Sequence, residues 1–150
     1  MMQQSVEAVI RDRGSDEVIS VPASATVAEA VGVMHARDVG ALMVITEDGL
    51  FAGIFSERDL LARVVHAGRD PATTPISLVM TRDIRFVSPG TTIEAALSLM
   101  HVQRFRHLLV IDGPKVYGLV SMRDLVYQMI RHGEGRFEAA VRGTGPVPGT

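Results

Sequence analysis

Two short phrases carry the residues best suited to chemistry: "GIFSERDLL" at 53–61 and "GLVSMRDLV" at 118–126. Each sets a serine, an arginine and an aspartate within four positions, first as Ser56, Arg58 and Asp59, then as Ser121, Arg123 and Asp124. The apolar residues on either side predict a strand running into a helix, so the polar groups fall at the helix start. Free backbone N–H groups, a hydroxyl and a guanidinium together make an anion site there. The aspartate accepts hydroxyl hydrogens of the kind a ribose offers. Anion donors beside diol acceptors describe a nucleotide's phosphate and sugar. The same residues also fit a simpler role, because serine three positions before an acid is a capping box and an acid in the first turn suits the helix dipole. What tips the balance toward a ligand is the arginine inside both turns.

Other chemistry finds less support. Cysteine is absent, which excludes disulfides, thiolate nucleophiles and Cys-based zinc sites. His35 and His101 occupy matching positions, but neither has a second ligand at i+4, so no metal site is expected. No serine has a G-x-S-x-G context and no G-x-x-x-x-G-K-[ST] loop occurs, so no catalytic residue is assigned. The net charge is −2, and two Tyr and five Phe leave little for base stacking, which argues against nucleic acid as a partner. Arginine supplies 14 of the 15 basic residues, with Lys115 alone. Neither a secretory leader nor an apolar run long enough to cross a membrane is read, and the cytoplasm is the expected compartment.

The elements that must position these turns come in duplicate. A shift of 66 residues matches "TVAEAVGVM" (26–34) with "TIEAALSLM" (92–100). Both show the i, i+3, i+4, i+7 stripe of a helix with one buried face, Val27, Ala30, Val31 and Met34 against Ile93, Ala96, Leu97 and Met100. Thr26 with Glu29 has capping-box spacing, and Thr91 with Glu94 has it one place out of register. "ALMVI" and "HLLVI" end in Asp-Gly turn signals and predict hairpins with "LFAGIF" and "KVYGLV". A second helical stripe closes each copy, and short extended pieces at 17–21 and 84–88 open them.

Each repeat thus predicts β-α-β-β-α, in an α+β fold of two tandem units packed about a pseudo-twofold axis, since about 60 residues bury too little surface alone. The first repeat with its N-terminal segment spans 1–66, a linker 67–78 and the second repeat 79–132. The Gly/Pro-rich tail 133–150 is expected to be flexible.

With both turns placed in such units, the chain resembles a CBS domain pair, or Bateman module, over residues of about 6–132. "VMTRDIRFVSPGTTIEAALSLM" is similar to the opening of that family's second repeat. The resemblance implies a regulatory module without catalysis that binds adenosine nucleotides, AMP, ADP or ATP, in clefts between its repeats, with no catalytic cofactor. It implies that Asp59 and Asp124 hold ribose hydroxyls, that Ser56 and Ser121 approach phosphate, and that Arg58 and Arg123 contact phosphate or the partner repeat. Adenine would lie on Val18 in the first copy and Ile84 in the second, with Thr81 nearby.

"RFRHLLV" departs from the family pattern at Leu109, where proline is common. Arg106 and His107 are either phosphate contacts or exposed residues entering a strand. Gly40 and Ala41 replace them in the first copy, which makes the second site the expected one. Arg123, where relatives often have glycine, either adds affinity or blocks the cleft. Two function classes follow: an energy or ligand sensor acting on an unidentified protein in trans, or a structural homodimerisation module in which Ser-x-x-Asp only caps helices. A homodimer is expected in either case, with Met34, Val65, Met100 and Met129 seeking partners.

Overall fold

The computed structural model describes residues 4–12 and 18–132, which leaves the tail assigned to 133–150 outside the described residues. Among the described residues two three-stranded sheets account for the strands. In the first repeat β1 (Ser20–Pro22) pairs parallel with β2 (Ala41–Ile45), which pairs antiparallel with β3 (Phe51–Ser56). In the second, β4 (Arg85–Val87), β5 (His107–Asp112) and β6 (Lys115–Ser121) repeat that order and those directions. Even the register irregularity recurs, between Val44 and Ile45 and between Val110 and Ile111. The hairpin turns use Gly49 at φ 80° and Gly113 at φ 57°, a left-handed backbone that glycine adopts without steric penalty.

The first helix of each repeat, α2 (Val27–Arg37) or α5 (Ile93–Gln103), covers its sheet with the predicted stripe. Thr26 caps α2 as its spacing predicts, but Thr92 rather than Thr91 caps α5, accepting from the Ala95 amide at 3.1 Å. Met34 and Met100 are 6% and 1% exposed and belong to the cores, so they are not the partner-seeking residues the sequence predicts. Val65 and Met129 do stand at the surface, 64% and 46% exposed.

The second helices differ. In the second repeat α6 (Met122–His132) is a regular α-helix. In the first, α3 (Glu57–Asp59) gives way at once to a π-helical segment, Leu60–Val65.

The largest departure from the sequence boundaries is an exchange of short helices. α1 (Val6–Arg11), placed with the first repeat by sequence, inserts Val6, Val9 and Ile10 into the core of the second, beside Ile93, Met100, Leu108 and Leu125. α4 (Ile76–Val79), in the stretch read as linker and the start of the second repeat, inserts Ile76, Val79 and Met80 into the core of the first. Backbone pairing fixes both. The Val6 amide donates to Thr91 O and the Ile93 amide to Gln4 O, just as the Ile76 amide donates to Ala25 O and the Val27 amide to Thr74 O. Neither repeat therefore has a complete core without the segment leading into the other, a stronger coupling than face-to-face packing alone.

Candidate functional site

At the end of β3 the Ser56 side chain accepts from the Asp59 amide at 3.3 Å, and Asp59 Oδ2 accepts from the Ser56 amide at 3.0 Å and its hydroxyl at 3.1 Å. This is the full capping box. Asp59 Oδ1 accepts the Thr81 hydroxyl at 2.8 Å and lies 3.7 Å from Arg63 Nε. Thr81 reaches it because the segment after α4 adds a rung to the edge of β3, exchanging amide–carbonyl bonds with Ile54. Gly53 permits that approach: a Cβ there would stand 2.5 Å from Thr81 O. The result is a buried carboxylate, 6% exposed.

The second turn forms the same reciprocal pair, Ser121 amide to Asp124 Oδ2 at 2.9 Å and Asp124 amide to Ser121 Oγ at 3.0 Å. Its surroundings are open. Ser121, Arg123 and Asp124 line a cleft of about 590 Å³ between the repeats. Across it stand Val18, Ile19, Gly40 and Ala41 from the first repeat, with Val9 and Ile10 from α1. Arg37 and Arg131 join Arg123 in the lining, balanced by the carboxylates of Asp12, Asp38 and Asp124. The cleft therefore combines an apolar wall, acceptor oxygens and guanidinium groups.

His107 begins β5 opposite Ser121 and lines the same cleft. Burial lowers its pKa below the ordinary 6.5, opposed in part by the carboxylates of Asp124, Asp59 and Glu57 and reinforced by Arg106. At neutral pH the ring is neutral and offers one donor and one acceptor.

Of the residues singled out by sequence, the cleft gathers Val18, Gly40, Ala41, His107, Ser121, Arg123 and Asp124. The grouping is crossed. Val18, Gly40 and Ala41 of the first copy face the second copy's aspartate, and Thr81 bonds the first copy's. Ser56 and Asp59 are buried away from the cleft lining, and Arg58, Ile84 and Arg106 are not part of it. Asp12, Tyr117, Tyr127, Gln128 and Arg131 were missed. Of these, Tyr127, Gln128 and Arg131 could have been found from the register of α6, one to two turns after Asp124 on the face that carries it.

The family model of the CBS domain matches residues 7–66 and 76–131, two copies in tandem. The chain belongs to the CBS domain family. It is similar to the CBS domain-containing protein YhcV of Bacillus subtilis, 32% identical over 127 residues that cover 84% of this chain and 89% of that one. Against CBSCBSPB1 of Arabidopsis thaliana, also 32% identical, the chain spans only 26% of its relative. A CBS-domain containing protein from Agrobacterium tumefaciens, 31% identical, superposes with a TM-score of 0.77 over 86% of this chain and 96% of that one. The α+β fold of this CBS pair is thereby shared with solved relatives. Among the described residues no helix is long and apolar enough to cross a membrane.

Proposed function

We propose that this CBS pair is a non-catalytic sensor that binds an adenine nucleotide, AMP, ADP or ATP, in the Asp124 cleft and acts on a separate protein in trans. The observation that carries this reading is the convergence of Ser121, Arg123 and Asp124 with the apolar wall of Val18 and Ile19 in one cleft. The wall suits a purine face. Asp124 suits a ribose diol, and Arg123 at the start of α6 suits phosphate. Arg123 is exposed at the cleft margin, a position that favours contact over blockage. Because the walls come from both repeats and from α1, a ligand bridging them biases their relative packing, which a partner can read.

Calorimetry against AMP, ADP and ATP tests the reading, with saturable binding expected for at least one. No heat and no thermal shift at millimolar nucleotide overturns it.

A structural homodimerisation module is the second reading, supported by the complete caps at both turns and by exposed Leu61, Val65, Tyr127 and Met129 on the second helices of the repeats. The two readings share an expected homodimer. Light scattering at micromolar concentration should give twice the 16.2 kDa chain mass. A monomer mass unchanged by nucleotide rejects the dimer.

A further inference from the structure

Arg63 and Gln128 hold corresponding positions, related by the same offset of 65 residues that relates Ser56 to Ser121. Both tie the second helix of a repeat to the short helix inserted beside it, but with different chemistry. Gln128, 3% exposed, donates from Nε2 to Gln4 Oε1 at 2.9 Å and Asp12 Oδ2 at 2.7 Å, gripping both ends of α1. Arg63, on the π-helical segment, donates from one guanidinium nitrogen to Val79 O at 3.3 Å and Met80 O at 2.7 Å. Its Nε faces Asp59 Oδ1, the atom that accepts from Thr81. One guanidinium thus joins the Asp59 turn to the end of α4.

We infer that the half-exposed Arg63 guanidinium, by bridging the Asp59 turn to the end of α4, keeps that turn from binding ligand, so that each chain takes one nucleotide, at Asp124, rather than two. This rests on the nucleotide reading above. A ribose approaching Asp59 must displace the Thr81 hydroxyl from Oδ1, while Oδ2 already receives both the amide and the hydroxyl of Ser56. It must also draw the guanidinium away from the carboxylate and break its hydrogen bonds to the two carbonyls. At the corresponding position the second repeat has a neutral amide directed to α1, and there the aspartate lines a cleft. Arg63 is therefore a specificity-determining residue of the Asp59 turn.

The test is nucleotide stoichiometry of the full chain, by calorimetry and native mass spectrometry with AMP and ATP, in the wild type and in Arg63→Gln, which installs the residue of the second repeat. One nucleotide per wild-type chain and two per Arg63→Gln chain are expected. Two per wild-type chain overturn the inference, as does one per chain in both proteins, an outcome that leaves the sensor reading intact. No binding by the wild type with one nucleotide on Arg63→Gln upholds the role of Arg63 but refutes the Asp124 cleft. No binding by either refutes both. If circular dichroism shows that Arg63→Gln does not fold, Arg63→Lys takes its place, because lysine keeps the charge but cannot reach Asp59 and both carbonyls together. A second nucleotide is expected there, and a single one overturns the inference.

Discussion

The Ser56–Asp59 and Ser121–Asp124 turns share a serine, an arginine, an aspartate and a reciprocal cap, yet Asp59 is buried under Thr81 and Arg63 while Asp124 lines a cleft. The difference comes from what lies beside each turn. The first meets the end of α4 and a rung added to β3, and the second meets α1 and the opening strand of the other repeat. Duplicated sequence therefore conserves the local cap and leaves the site to the neighbours. A cap needs only four residues, but a cleft needs two repeats.

The largest expected effects come from exchanging the aspartates' roles. Asp124→Ala should weaken nucleotide binding about ten- to a hundredfold, since a charge-assisted hydrogen bond is typically worth about 1.5–3 kcal/mol. Asp59→Ala should leave affinity unchanged and reduce stability by about 2–4 kcal/mol, combining a lost cap with stranded donors on the Ser56 amide and the Thr81 hydroxyl. Titration and urea denaturation of the two variants give the comparison. If Asp124→Ala loses stability but keeps its affinity, both turns are caps alone.

Much of this arrangement is legible in the sequence because it is written in local periodicity. The two helical stripes, the Asp-Gly hairpins and the Ser-x-Arg-Asp turns predict the elements and their order. The exchange of α1 and α4 is not legible. Helices of six and four residues show no full amphipathic period, and their partners are fixed by backbone bonds to distant segments such as Ala25 and Thr91. The crossed grouping of site residues follows from that exchange. Val18 and Thr81 each precede a repeat, and each serves the aspartate of the other. Met34 and Met100 fall on the predicted stripes, but a stripe alone does not say that the cover over it is complete.

A smaller effect is expected at the glycines that open the two phrases, for different reasons. Gly53→Ala drives a Cβ against the Thr81 carbonyl and should cost about 1–3 kcal/mol, because backbone rather than a flexible side chain must move. At Gly118 the nearest atom is Ile10 Cδ1 at 3.7 Å, an ordinary contact, and the obstacle is the backbone φ of 147°. Gly118→Ala should cost about 1–3 kcal/mol through that strain. Denaturant melts of the two alanine variants check both costs, and a loss below about 0.5 kcal/mol at either position would refute the obstacle assigned there.

The smallest effect sharpens the comparison at His107, which faces Ser121 where the first repeat has Ala41 opposite Ser56. Burial holds the folded-state pKa below the 6.5 of an exposed imidazole. Between the lowered value and 6.5 the unfolded chain binds more protons than the folded one. Stability from neutral His107 is therefore fully present above pH 6.5 and is lost as pH falls through the folded pKa. Asp124, Asp59 and Glu57 moderate the loss because each favours the imidazolium, and Arg106 acts against them. His107→Gln keeps a donor and an acceptor but cannot titrate, so its thermal melts below pH 6.5 should decline less steeply than those of the wild type, with parallel curves above. Replacing Ala41 by Gln adds no titrating group and should leave the slope as it is. A wild-type curve that is flatter than His107→Gln below pH 6.5 would mean that the three carboxylates outweigh burial, and the imidazole of the cleft would then be the charged species.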